Sequence, residues 1–343
     1  MMNPIKDPLD NLKEKSFALA IDAHTAGEPI RIILDGYDPA LEDQPTMVER
    51  QRWIRKNQDQ LRTRTMKEPR GHDAMFGAIV MEPVEDDADI GVLFPYPAGY
   101  ADMCGHGAIG VATVLSELGF LEVDQGENVI TLDTPAGTVK TIAYYRDGRV
   151  DRVDLFGTPS YYFDAVEVEV TGRGEINVEL SYGGNFFGIV ELENLELSVS
   201  RQNLDELNSL AHKIMKEVND RKEIKLKHPE TGRVPLERIR FVEGEEDSKN
   251  VVIHEGAVID RSPCGTGTCS QIAWEYYRGE LELGEGKRYS SIIDTEFRGQ
   301  AVEEKTLDGR QVIVPKVTGS SYVTGLNYFV TTPGDHLVDG FTI

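Results

Sequence analysis

Apolar and polar residues alternate in short runs along most of the chain. Gly, Pro, Asp and Asn punctuate these runs, a pattern that predicts many short strands. Residues 17–22, 30–34, 78–81 and 89–94 read as strands, as do the alternating runs between 128 and 163. In the second half 166–170, 176–180, 239–242 and 250–254 read the same way. Helical spacing is rarer. It appears around 47–64 and most clearly over 203–220, where Leu204, Leu207, Leu210, Ala211, Ile214, Met215 and Val218 fall on one face. The segment 108–118 differs, with small and aliphatic residues on nearly every side, which marks a helix buried all round. Residues 267–281 are its counterpart in the second half. The polar stretch 1–16 is expected to fray, and 221–248 to be loop outside 239–242. The pattern therefore predicts an α+β protein of two similar domains, each with one central helix wrapped by strands. The expected domains are 1–160 and 161–324, with a crossing near 157–163 and with a return of about 325–343 to the first domain left open.

A length of 343 residues suffices for two domains, and 40% hydrophobic content suits a soluble core-forming protein. No apolar run approaches membrane-spanning length and no signal-peptide core is evident, so a cytoplasmic location is expected. The formal net charge of −23 argues against nucleic acid and anionic membranes as partners. A small anionic substrate remains compatible, provided helix N-termini supply the positive potential. A homodimer is allowed without being required.

The chain has three cysteines, Cys104, Cys264 and Cys269. So few, and an odd number, do not form a disulfide framework. Four residues separate Cys264 from Cys269 and no fourth soft ligand is near in sequence, so no metal site is expected. Cys104 lies in Asp102-Met103-Cys104-Gly105-His106-Gly107-Ala108, and Cys264 in Asp260-Arg261-Ser262-Pro263-Cys264-Gly265-Thr266-Gly267-Thr268. Both contain Cys-Gly-x-Gly, both open a helix, and in both a further glycine, Gly119 or Gly279, follows 15 residues after the cysteine. At a helix mouth a thiolate is favoured by unpaired N–H groups and the helix dipole. The glycines let a ligand approach, and the N–H groups of Gly105-His106 and Gly265-Thr266 can hold a carboxylate.

Two such thiols, one per domain and expected face to face, suit a symmetric task. One removes the proton from one face of an amino-acid Cα and the other returns it on the opposite face. Without pyridoxal, the carbanion must be stabilised electrostatically in a water-poor cavity. A Cys–His hydrolase fits less well, because His106 shares a turn with Cys104. The glycines match neither a phosphate loop nor a dinucleotide fingerprint.

These residues resemble the proline racemase family, which includes 4-hydroxyproline 2-epimerases and trans-3-hydroxyproline dehydratases. The resemblance runs from Asp22-Ala-His-Thr-Ala-Gly-Glu-Pro29 to the C-terminal Gly-Phe-Thr. Arg70-Gly-His-Asp-Ala-Met-Phe76 and Gly183-Gly-Asn-Phe-Phe187 add to it. It implies a diaminopimelate-epimerase-like fold and no cofactor. It also implies that Cys104 and Cys264 are the acid/base thiols, that Gly105, His106, Gly265 and Thr266 hold the carboxylate, and that Asp260 holds the ring amine. Phe76 and Phe94 match aromatic wall positions. Dehydratases of the family typically carry Thr at the second cysteine, so Cys264 points to two-base inversion of proline or 4-hydroxyproline. The alternatives are a trans-3-hydroxyproline dehydratase and a catalytically silent imino-acid binder. His254 stands where proline racemases tend to have Phe; its polarity would suit a hydroxylated ring or equally a solvent-facing position. Arg238 stands near where 4-hydroxyproline epimerases carry a histidine, and Phe76 leans to the racemase side.

Overall fold

The computed structural model describes residues 16–342 except 194, 229–231, 245, 246, 257 and 308; the polar segment 1–15 lies outside the described residues. The chain divides into two units. The first takes in 16–25, Pro29–Asp151 and 321–342; the second takes in Ala26–Glu28 and Arg152–Ser320.

In the first unit the strand Ser16–Thr25 pairs antiparallel with Ser321–Val330. The strand Glu28–Asp35 runs parallel to Gly77–Met81, which pairs antiparallel with Ile90–Tyr96. Ile90–Tyr96 then runs parallel to Gly126–Thr134, which forms a hairpin with Gly137–Arg146. Parallel neighbours need a crossover. The first crossover holds helices α1 (Met47–Asn57) and α2 (Asp59–Met66), and the second holds α3 (Gly105–Glu117).

The second unit repeats this order of pairings. Gly174–Tyr182 forms a hairpin with Phe186–Glu191, which runs parallel to Arg238–Glu243. Arg238–Glu243 pairs antiparallel with Asp247–His254, which runs parallel to Gly286–Ser290, antiparallel in turn to Glu296–Leu307. Its two crossovers hold α4 (Leu204–Asp220) and α5 (Gly265–Arg278). The duplication suspected from two short motifs thus extends to strand order.

Helices α3 and α5 are the central ones. Every residue from Gly105 to Ser116 is buried, as the all-round apolar pattern requires. Helix α3 packs on Ser16–Thr25, Gly137–Arg146 and Ser321–Val330; α5 packs on Tyr161–Val170, Gly174–Tyr182, Glu296–Leu307 and Arg310–Gly319. Gly119 and Gly279 end the two helices in the left-handed region, at φ +73° and +72°. In each case the residue after the glycine closes the last turn, Phe120 N–H donating to Leu115 O and Glu280 N–H to Glu275 O, both at 2.9 Å.

Two expectations need correction. The helical segment 47–64 is two helices, because Gln58 leaves helical geometry at φ −144°. Its side chain is drawn to the 36–38 loop, accepting from Asp38 N at 2.8 Å and donating to Gly36 O at 2.9 Å. The stretch 221–248 also holds the two-residue strands Lys227–His228 and Gly232–Arg233, which pair with each other.

Candidate active site

Each unit carries one cysteine at the N-cap of its central helix. In the first unit, Cys104 sits at φ −138°, and Ala108 N–H donating to Cys104 O is the first helical bond. The N–H groups of Gly105, His106 and Gly107 precede that bond, at the N-terminal mouth of the helix. Cys104 Sγ lies 3.4 Å from His106 Nδ1, and both residues are buried. The His106 carbonyl is fixed by the Thr25 hydroxyl at 2.9 Å. Phe76 meets the His106 ring edge-on at 5.0 Å and stacks on Tyr96 at 5.8 Å. Phe94 is fully buried against the same helix mouth. A Cβ on Gly107 would lie 2.9 Å from the Phe94 ring and 3.1 Å from Cys104 Sγ, so only glycine lets ring and sulfur close over the first turn. Phe76, Phe94, Cys104, Gly105 and His106 thus form one cluster.

Arg31 anchors the approach to this cluster. It grips Asp22 through two bonds of 2.8 Å and donates to Thr65 O and Arg70 O at 2.5 and 2.6 Å. Its N–H donates to Phe76 O at 2.9 Å, which sets the Phe76 backbone.

In the second unit Cys264 also caps its helix, but at φ +64°, a left-handed conformation uncommon for a side chain with Cβ. The preceding loop holds it there. Asp260 Oδ1 accepts from Ser262 N and Ser262 Oγ, each at 2.8 Å, and Ser262 Oγ accepts from Cys264 N at 3.0 Å. Cys264 Sγ accepts from Gly267 N at 3.4 Å and lies 3.8 Å from Thr266 Oγ1. Gly183 abuts this helix start: a Cβ there would lie 2.5 Å from Thr266 O and 2.3 Å from Ser270 N. Gly183 is required because helix backbone presses on it, and Gly184 because its φ is +93°. Asp260, Cys264, Gly265 and Thr266 are therefore assembled by one loop and one helix turn.

Burial, and then the Asp260 carboxylate, push the Cys264 thiol well above its ordinary range. Arg240, the Gly267 N–H and the Thr266 hydroxyl act in the opposite direction. Cys269 lies inside α5, where burial pushes its thiol up to about 12. His254 is placed separately. It ends the strand Asp247–His254, half-buried, opposite Arg238 in register.

Sequence reasoning passed over two buried charged residues. Glu28, 1% exposed, accepts from Arg261 N at 2.7 Å through Oε2. Burial, and then Asp260, raise its carboxyl well above the usual range. Arg240 is fully buried beneath α5. Its signal was a lone cation within the apolar run 239–242. Among the described residues no cluster of His, Cys, Asp and Glu could hold a metal ion, and no helix is long and apolar enough to cross a membrane.

A match to the family described as proline racemase spans residues 20–342. The proline racemase of Clostridioides difficile is 38% identical, covering 94% of this chain and 97% of its own. The 4-hydroxyproline 2-epimerase of Streptosporangium roseum is 37% identical, covering 97% of this chain and all of its own. A trans-3-hydroxy-L-proline dehydratase of Bacillus thuringiensis is 35% identical, with the same coverage. Among solved structures, a hydroxyproline epimerase from Agrobacterium vitis with bound trans-4-hydroxy-L-proline superposes with a TM-score of 0.87 at 26% identity, over 95% of this chain and 94% of that one. A PhzF-family protein of Bacillus anthracis, 13% identical with a TM-score of 0.62, shares the fold. The fold is of the α+β, diaminopimelate-epimerase-like kind.

Proposed function

The chain belongs to the proline racemase family, and from that premise we propose that it inverts Cα of proline or 4-hydroxyproline with Cys104 and Cys264 as its acid/base pair. The observation that carries this reading is the repeated placement of a buried thiol at the N-cap of a central helix. At both places the first-turn N–H groups lie beside the thiol, ahead of the first helical bond.

In this reading one sulfur, as thiolate, takes the α-proton, and the other, as thiol, delivers a proton to the opposite face. The charge that develops on Cα passes partly into the carboxylate. There the N–H groups of Gly105, His106, Gly265 and Thr266 oppose it without having to reorient. Asp260 receives the ring ammonium. Phe76 and Phe94 supply an apolar wall that keeps water from the carbanion. His254 accounts for the ring substituent. Nothing in the sequence of proton transfers calls for a cofactor.

The test is α-proton exchange in deuterated water, run side by side with proline, trans-4-hydroxyproline and trans-3-hydroxyproline. Exchange with inversion in either of the first two supports the reading. Pyrroline formation from the third would instead make the protein a dehydratase, the activity named for its 35%-identical relative. Binding of pyrrole-2-carboxylate, a planar mimic of the carbanion, with no exchange in any substrate would leave only a silent binder.

A further inference from the structure

Arg240 lies on the strand Arg238–Glu243 between Ile239 and Phe241, all three fully buried. Its guanidinium runs under the first turns of α5. Nη1 donates to Pro263 O at 2.6 Å, Nη2 to Thr268 Oγ1 at 3.4 Å, and Nε to Gln271 Oε1 at 2.7 Å. All three acceptors are uncharged. Gln271 passes the network on to Ser248 at 2.8 Å and to Glu275 at 2.7 Å. Glu275 is already engaged by Tyr289 at 2.6 Å and Lys287 at 2.9 Å. The acid on α5 is thus separated from the guanidinium by an amide and paired with another cation.

A buried cation held only by neutral acceptors is costly unless an anion compensates it at some stage. The group positioned to do so is the Cys264 sulfur. A Cβ on Gly267 would lie 2.9 Å from Arg240 Nη1 and 3.1 Å from Cys264 Sγ, so both atoms border the space that this glycine leaves empty. In the first motif the corresponding neighbour of Gly107 is the uncharged Phe94 ring. The two cysteines therefore stand in different electrostatic surroundings despite their shared motif.

We propose that Arg240 is a positioning residue for the reaction, a buried counter-charge that holds Cys264 as thiolate whenever its proton is on the substrate. This rests on the proposed acid/base role of Cys264. The balance is simple. When Cys264 gives its proton to the carbanion, the negative charge moves from Cα to sulfur beside the guanidinium, and in the reverse direction it moves back. The ionisable groups facing this sulfur come from several elements. Asp260 on the preceding loop, with Glu28 beside it, opposes the thiolate; Arg240 on its strand supports it. Glu275 and Cys269 on α5, with Tyr289 and Lys287 on Gly286–Ser290, act on Arg240 or surround it.

The test is the rate of alkylation by iodoacetamide at each cysteine, located by peptide mass spectrometry over a pH series. It needs no turnover, so it can succeed or fail independently of the racemase reading. Arg240→Met should slow Cys264 alkylation about tenfold at fixed pH, the effect of raising a thiol pKa by about one unit. Arg240→Lys should restore most of the rate, and Cys104 should react as in the parent. Arg240→Gln removes the charge while leaving a polar side chain beneath α5. It should slow Cys264 in the same way, and decides the matter if Arg240→Met does not fold. An unchanged Cys264 profile in folded Arg240→Met or in folded Arg240→Gln overturns the proposal.

Discussion

The backbone N–H of Arg261 donates to Glu28 Oε2 at 2.7 Å, and the carboxyl that receives it has only 1% of its surface exposed. Burial and the adjacent Asp260 make Glu28 hold its proton to higher pH in the folded protein than in the unfolded chain. The folded state then binds more protons, so this group lowers stability as pH rises above its ordinary value of 4.5 and until it ionises in the fold. Glu28→Gln keeps an acceptor for Arg261 but cannot ionise. Its stability should match the parent near pH 4.5 and exceed it increasingly at higher pH, by up to ~1.4 kcal/mol per pH unit within that window. Urea midpoints of both proteins across the pH range check this, and parallel curves would refute it.

Replacing either proposed acid/base thiol by serine leaves one competent partner. Cys104→Ser and Cys264→Ser should each lower inversion by roughly 10²–10⁴-fold, the usual contribution of a positioned acid or base. Washout of the α-proton from a single enantiomer should survive better than inversion. Following both signals with each enantiomer of the substrate tells which thiol serves which face.

Gly157 lies so close to Cys269 that a Cβ there would sit 2.7 Å from its Sγ and 2.9 Å from Pro315 Cγ. Gly157→Ala should therefore destabilise by about 1–3 kcal/mol through overpacking. Adding Cys269→Ala should return part of the loss, a coupling measurable in a double-mutant cycle by denaturant unfolding. With its thiol at about 12, Cys269 should resist alkylation near neutral pH until the protein unfolds.

His254 and Arg238 face each other across an antiparallel strand pair. Sequence features that pointed to different substrates are thus neighbours in space. In the proposed reading the ring hydroxyl falls to His254 alone. His254→Phe should shift the ratio of kcat/KM values toward proline by at least about fivefold, of the order of one lost hydrogen bond. An unchanged ratio would remove His254 from substrate selection.

Much of the fold was legible because its signals are local. The all-round apolar pattern of 108–118 located α3, and the one-sided pattern of 203–220 located α4. The break at Gln58 was not, since it depends on a loop twenty residues upstream drawing the side chain away. The motif glycines were visible as a pattern, but their reasons were not. Gly107 yields to a ring from the strand Ile90–Tyr96, and Gly267 to a guanidinium from Arg238–Glu243. The left-handed turn at Cys264 was equally hidden, because the Asp260–Ser262 bonds that hold it are set by the folded loop. Charged residues such as Glu28 and Arg240 read as surface until their burial is seen.

The pairing of Ser16–Thr25 with Ser321–Val330 has a consequence for biosynthesis. A ribosome releases the opening strand first and its hydrogen-bonding neighbour only after every residue of the second unit. The nascent first unit must wait with one sheet edge unfilled and adhesive. The unit translated later can finish earlier, so the order of maturation runs against the order of synthesis.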